Sequence, residues 1–223
     1  MSLRTYATEF GTLAESAHAQ IDGDLAPAFD PDEQLEFEVY VPDAPGPKGL
    51  VVYISPKPGA AVPESWCPLL DDLGLVWVGA KHSGNQVAVA RRAGLALLAP
   101  AVAAVHADMD DRRLLTGFSG GGRVASMLMQ THPAVFGGAI YLCGANPLLL
   151  VTPEQIETIR SKPLLFLTGT GDFNLDDTQM ALSTYRAAGL HNAILEIVDG
   201  LDHALPAAEA MSSALRYVID KML

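Results

Sequence analysis

The run Gly117-Phe118-Ser119-Gly120-Gly121 restricts this chain more than any other stretch of it. It is a G-x-S-x-G pentapeptide, and its flanks give it meaning. Arg112-Arg113-Leu114-Leu115-Thr116 before it reads as a short buried strand, and Gly122-Arg123-Val124-Ala125-Ser126-Met127-Leu128-Met129-Gln130 after it reads as a helix. A strand that turns at once into a helix has no room for side chains across the turn, which is why glycine stands at 117 and 121. Such a turn forces the central serine into a strained backbone conformation and lifts its hydroxyl above the sheet. It also aims the next N–H, that of Gly120, at the place where an oxyanion would form. The competing reading is a glycine-rich turn that merely joins strand to helix. The strand before it and the helix after it favour a nucleophile.

Bulk properties fit one soluble domain over residues 1–223. Hydrophobic residues make up 49%, enough to cover a sheet on both faces. The formal net charge is 14 − 26 = −12, which argues against nucleic acid and against an anionic membrane surface as partners. The longest apolar run, Gly94 to Val105, is too short for a membrane span and carries Pro100, so it reads as a buried helix. Residues Met1 to Gln20 lack a basic segment followed by an apolar one; Ala17-His18-Ala19 looks like a cleavage tripeptide but follows a Glu-containing stretch. This reading is cytoplasmic. Met1-Ser2-Leu3 has the look of an added start, so a trimmed leader and a periplasmic or secreted location stay open. The two cysteines, Cys67 and Cys143, allow neither a disulfide framework nor a zinc spacing. They read as small buried thiols, with Cys143 ending a strand near the elbow's partners.

Apolar strands alternate with helices along the chain. Strands are expected at Leu35–Val41 (alternating, as an edge or half-exposed strand), Leu50–Ile54, Leu75–Gly79, Arg113–Gly117, Ala139–Leu142, Leu164–Thr168 and Ala193–Val198. Helices are expected at Pro63–Leu73, Gln86–His106 with a bend at Pro100, Pro153–Arg160, Leu175–Ala188 and Pro206–Lys221. This pattern means a mostly parallel sheet with helices on both faces. Only the segment from Cys143 to Pro163 could form a cap, and it is short; an open, lidless site is expected.

A serine hydroxyl is a weak nucleophile without a base. In open α/β sheets the working groups lie on loops beyond the C-terminal ends of the strands. Gly169-Thr170-Gly171-Asp172 follows one such strand, and Asp199-Gly200-Leu201-Asp202-His203 follows another. Ser119, Asp172 and His203 thus fall on one edge of the sheet, with His203 as base and Asp172 as its orienting acid. His18, His82, His106, His132 and His191 are weaker as bases, being in the N-terminal arm, after an early strand or at helix ends. Asp176 and Asp177 suit the start of the next helix, and Asp202 adjoins His203 in sequence and so seldom faces it. The loop after Leu50–Ile54 is Ser55-Pro56-Lys57-Pro58-Gly59. Its prolines have no N–H, which leaves Lys57, Gly59 and Ala60 as donors for the second half of an oxyanion hole; Lys57 is favoured. Phe173, His82, Asn85 and Asn146 follow strand ends on the same edge and are expected to line a substrate rim.

Three other motifs fail. Gly117 to Val124 has Arg123 and Val124 where a phosphate-binding loop needs Lys and Ser/Thr; Gly169-Thr170-Gly171 lacks the third glycine of a dinucleotide fingerprint; and Asp172 to Ser183 lacks the glycine and glutamate of a calcium loop. No metal and no organic cofactor is therefore expected.

The chain resembles an α/β-hydrolase of the esterase branch that includes polyhydroxybutyrate-depolymerase-like and feruloyl-esterase-like proteins. The resemblance rests on Val51-Val52-Tyr53-Ile54-Ser55-Pro56, on Leu75 to Asn85 with its Ser83-Gly84-Asn85, on Thr116 to Ser126, on Thr168 to Asn174 and on Gly200 to Pro206. It covers most of the chain from about Leu35 onward. Many such proteins carry His-Gly in the loop that here reads Ser55 to Gly59. The resemblance implies an α/β-hydrolase fold with little or no cap, and hydrolysis of a small-molecule or oligomeric carboxylic ester through an acyl-serine. A serine peptidase or thioesterase is the alternative within the class. A non-catalytic binding protein of the same fold is the alternative outside it. The oligomeric state does not follow from the sequence.

Overall fold

The computed structural model describes residues 2–17, 28–149 and 151–222; His18 and Ala19 of the cleavage-like tripeptide lie outside them. The chain gathers into two compact units, Met1–Asp111 and Arg112–Leu223. The boundary falls inside a strand, Met109–Phe118.

The first unit contains β1 (Ser2–Glu9), α1 (Phe10–Ala17), β2 (Gln34–Val41), β3 (Lys48–Ile54), α2 (Cys67–Leu73), β4 (Leu75–Ala80) and α3 (Val89–His106). Its strands run in the order β1-β2-β4-β3. β1 and β4 flank β2 antiparallel, and β3 pairs with β4 in parallel. β3 and β4 are buried at every position, as continuous apolar runs between two layers should be. β2 does alternate buried and half-exposed residues, but it is not an edge strand, because β1 covers it. β1 carries little apolar alternation, and α1 is only eight residues long, so neither is expected from the sequence. Pairing with β2 and the stacking of Phe10 on Phe29, ring centroids 4.6 Å apart, supply what local pattern does not.

Two expected helices of this unit start later than expected. A 3-10 turn at Glu64–Trp66 precedes α2, because Pro68 has no N–H to continue an α-helical ladder back toward Glu64. Residues Gly84 to Ala88 form a turn, with Val87 N–H on the Gly84 carbonyl at 2.9 Å, so α3 starts at Val89 rather than Gln86. Pro100 lies within α3 without ending it. Among the described residues α3 is the one helix long and apolar enough to cross a membrane, and half of it is buried inside the protein.

The second unit holds the parallel strands β5 (Met109–Phe118), β6 (Gly138–Leu142), β7 (Leu164–Gly169) and β8 (Ala193–Val198) in sequential order. Between and after them come α4 (Gly120–Thr131), α5 (Pro153–Arg160), α6 (Leu175–Ala187) and α7 (Ala208–Met222). β6 and β7 are wholly buried. Thr152 caps α5 with a reciprocal box: its Oγ1 accepts from Gln155 N–H and its own N–H donates to Gln155 Oε1. α7 starts at Ala208, two residues past the expected Pro206. Because all four strands are parallel, their C-terminal ends and following loops share one edge of this unit.

Candidate active site

β5 ends at Phe118, and α4 begins at Gly120. One residue is left to reverse the chain, and Ser119 does so at φ 55°, ψ −120°, a region that non-glycine residues adopt at a cost of about 1–3 kcal/mol. Close packing holds it there. A Cβ on Gly117 would lie 2.5 Å from the backbone of Gly121, one on Gly122 would lie 2.2 Å from the Gly144 carbonyl oxygen, and one on Gly144 would lie 2.7 Å from the Ser119 carbonyl oxygen. The requirement for glycine thus reaches beyond the pentapeptide to positions 122 and 144, which the motif alone does not mark. Ser119 N–H donates to the Leu142 carbonyl at 2.8 Å, and its own carbonyl accepts from Arg123 N–H at 3.1 Å. Gly120 is the first residue of α4, so its N–H is among those a helix leaves without an intrahelical acceptor.

Asp172 sits in the loop after β7. Its side chain is fully buried. Oδ2 accepts from the Thr168 hydroxyl at 2.6 Å, and Oδ1 accepts from Asn174 N–H at 2.9 Å. Burial alone would push this carboxyl up; hydrogen bonds from Thr168, Asn174 N–H, His203 and Cys143 outweigh it and hold the group below the ordinary aspartate value.

His203 arrives on the loop after β8. Thr170 joins this loop to the previous one: its N–H reaches the Val198 carbonyl at 3.1 Å, and its hydroxyl oxygen accepts from Gly200 N–H at 2.8 Å. The approach is tight enough that a Cβ on Gly169 would fall 1.9 Å from the Leu201 carbonyl oxygen. The structure brings the three residues together: His203 Nδ1 lies 2.8 Å from Asp172 Oδ1, and His203 Nε2 lies 2.9 Å from Ser119 Oγ. An ionised Asp172 only accepts, so Nδ1 carries the proton and Nε2 presents a lone pair to the serine hydroxyl.

Two aromatic rings touch the imidazole. Phe173 lies against it, tilted by 34° with ring centroids 4.0 Å apart, and Phe118 lies 5.0 Å away at a tilt of 36°. Phe173 is nevertheless 76% exposed.

Cys143, which sequence reading sets aside as a buried thiol, belongs to this cluster. It is buried at a positive φ of 53°, with Sγ 3.4 Å from the carbonyl of Ala204, the residue after His203. Its Sγ, a carboxylate oxygen of Asp172 and a ring nitrogen of His203 all lie within 4.8 Å of one another. The donor set nonetheless suits a hydrogen-bonded dyad better than a metal. Asp172 already receives three donors from oxygen and nitrogen, and burial, then Asp172 itself, push the Cys143 thiol well up, away from the thiolate a metal needs.

The remaining expected residues have the following surroundings. Asn146 is half-buried and turned into the fold: its N–H donates to Ser126 Oγ at 2.8 Å, and its amide Nδ2 donates to the Arg123 carbonyl at 3.1 Å. It ties the β6 loop to α4 rather than offering its amide to a rim. Lys57, His82 and Asn85 belong to the first unit. Lys57 N–H, expected to face an oxyanion, donates to Ser55 Oγ at 3.0 Å. That donor is therefore occupied, and Ala60 N–H is likewise taken by Glu38 Oε2. His82, at φ 55°, is exposed and lies 3.5 Å from Glu36 Oε2. His82 and Asn85 line an open groove of about 460 Å³ with Pro56, Pro58, Gly84 and Gln86. Arg123 pairs with Asp177 at 2.9 Å. Asp176 and Asp177 stand in the first turn of α6, where the helix dipole favours them.

No protein-family model and no curated protein matches this chain. Solved structures do. A ferulic acid esterase aligns at TM-score 0.66 and 14% identity, over 100% of this chain and 99% of that one. The S-formylglutathione hydrolase of Agrobacterium tumefaciens aligns at 0.65 and 15%, over 100% and 99%. The acylaminoacyl peptidase of Pyrococcus horikoshii aligns at 0.64 and 12%, over 99% of this chain and 41% of that one. At such identities the likeness speaks for architecture. Mostly parallel strands with helices between them in the described residues, and these neighbours, agree on one conclusion: the chain has the α/β-hydrolase fold.

Proposed function

We propose that the protein is a serine hydrolase that cleaves carboxylic esters through an acyl-serine intermediate. What supports the reading is the line of two hydrogen bonds from Asp172 Oδ1 through His203 to Ser119 Oγ, 2.8 and 2.9 Å long. Ser119 Oγ attacks the ester carbonyl carbon while its proton passes to His203 Nε2. The carbonyl π pair moves onto oxygen, where the Gly120 N–H donates to the forming oxyanion. Asp172 holds the imidazole and stabilises its positive charge. The intermediate then collapses: the bond to the alcohol oxygen breaks, that oxygen takes the proton from Nε2, and the acyl group stays on Ser119. Water repeats the sequence, giving its proton to Nε2 and releasing the carboxylic acid as Ser119 recovers its hydrogen. Only water is consumed, and no electrons change hands.

The exposure of Phe173 and the short β6–β7 connection, in which α5 is the one helix among the described residues, favour small or extended esters over long buried chains. The test is labelling with a fluorophosphonate together with turnover of p-nitrophenyl esters of increasing chain length, beside a thioester and a peptide. The label is expected on Ser119, and Ser119→Ala is expected to lower turnover by about 10³ or more. Wild-type turnover in Ser119→Ala, or a label on another residue, overturns the proposal.

A further inference from the structure

Phe173 combines two properties that rarely coincide. Its ring is 76% exposed, yet its position is fixed from both sides. Asp172 N–H is bound to the Gly169 carbonyl at 3.1 Å, and Leu175 N–H to the Asp172 carbonyl at 3.0 Å. Asn174 is buried with its amide on the Cys143 carbonyl at 2.9 Å. One part of the ring rests on the His203 imidazole at a centroid distance of 4.0 Å and a tilt of 34°; the rest faces solvent. What sets this ring apart from other exposed apolar side chains is its place against the imidazole, where a flat group beside His203 would cover it.

We propose that Phe173 is the residue that selects the alcohol side of the substrate, favouring esters of flat apolar alcohols over those of small ones. The inference rests on the esterase reading above and deepens it. In that chemistry His203 Nε2 returns its proton to the departing alcohol oxygen, which must therefore lie within hydrogen-bond reach of Nε2. The rest of the alcohol extends from that atom alongside the imidazole; of the two rings that lie against the imidazole, Phe173 at 4.0 Å is nearer than Phe118 at 5.0 Å and is the one 76% exposed. An aromatic alcohol group covers the exposed ring, whereas a methyl group leaves it wet. The acyl group, attached to Ser119 throughout, does not enter this comparison, so the selection acts on the leaving group.

The experiment compares benzyl butanoate with methyl butanoate, whose acyl groups are identical, each rate divided by that of alkaline hydrolysis. For the wild type the corrected benzyl-to-methyl ratio of kcat/KM is expected to be about tenfold, from the apolar area a phenyl group covers. Phe173→Ala is expected to bring the ratio close to one, and Phe173→Tyr, which keeps the flat face, to retain it. Any general damage to His203 lowers both esters and cancels in the ratio. Fluorophosphonate labelling of Ser119 is followed in parallel. A wild type without alcohol preference, or a ratio that survives Phe173→Ala, overturns the role of Phe173 while leaving the hydrolase reading in place. A wild type that cleaves no ester and takes no label overturns both.

Discussion

Replacing Gly144 by alanine tests whether the position of the nucleophile is set from behind. The residue has no special backbone angle; the difficulty is space. Its new Cβ would lie 2.7 Å from the Ser119 carbonyl oxygen and 3.1 Å from both the carbonyl carbon and Cα of the same residue. All three atoms are backbone of the elbow, which has no flexible end to swing aside. Relief requires the β6 loop and Ser119 to separate by about 0.5–1 Å, at a cost of about 1–3 kcal/mol in stability. A displacement of that size changes the Ser119 Oγ to His203 Nε2 distance from 2.9 Å. Misplacements near 1 Å cost about 10²-fold in rate, so kcat is expected to fall roughly 10- to 100-fold with a smaller change in KM. The assay is p-nitrophenyl acetate turnover beside the second-order rate of fluorophosphonate labelling, which reads Ser119 directly, and thermal melting, which reads the fold. Gly122→Ala presses on the same junction, 2.2 Å from the Gly144 carbonyl oxygen, so the double variant should lose less than the product of the two single losses. A Gly144→Ala protein with wild-type kcat and labelling rate would refute the idea that this contact sets the serine.

Asp172 is held below the usual aspartate value, so its contribution to stability is fully present above the unfolded value and lost as pH falls through the folded one. Thr168→Val removes the 2.6 Å hydrogen bond to Oδ2, raises the folded value and should move the acid limb of the melting profile to higher pH; an unchanged limb argues against this account. Chelating agents should leave ester turnover unchanged, since Asp172 Oδ1 and Oδ2 are already occupied by protein donors; loss of activity on chelation, restored by zinc, would count against the dyad. Turnover of short esters should show no jump as substrate passes its solubility limit, because Phe173, against the imidazole, is exposed; marked interfacial activation would contradict an open site.

The division between what could be read from the chain and what could not follows the range of the forces involved. Strands such as Leu164–Gly169 and Leu75–Ala80 are legible because a strand buried on both faces must be apolar throughout, a property each residue carries itself. The elbow is legible because a one-residue reversal leaves no room for a side chain at Gly117. The order of Ser119, Asp172 and His203 is legible because parallel strands deliver their following loops to one edge. Position along the chain is silent where a role depends on a distant partner. Nothing in Ser2–Glu9 marks a strand until β2 lies beside it. Nothing in Gly144 or Gly122 marks a required glycine until the β6 loop meets the elbow. Lys57 looks like a free donor until Ser55 Oγ turns onto its N–H, and Asn146 looks like a rim residue until α4 claims its amide. Phe173 is legible as a residue of the rim and Cys143 as a thiol ending a strand, but packing alone sets Cys143 beside Asp172 and His203 and lays Phe173 against the imidazole. Periodicity and turn chemistry are local and survive in the unfolded chain, whereas hydrogen-bond partners and close contacts exist only once tertiary structure brings loops far apart in sequence within a few ångströms of each other.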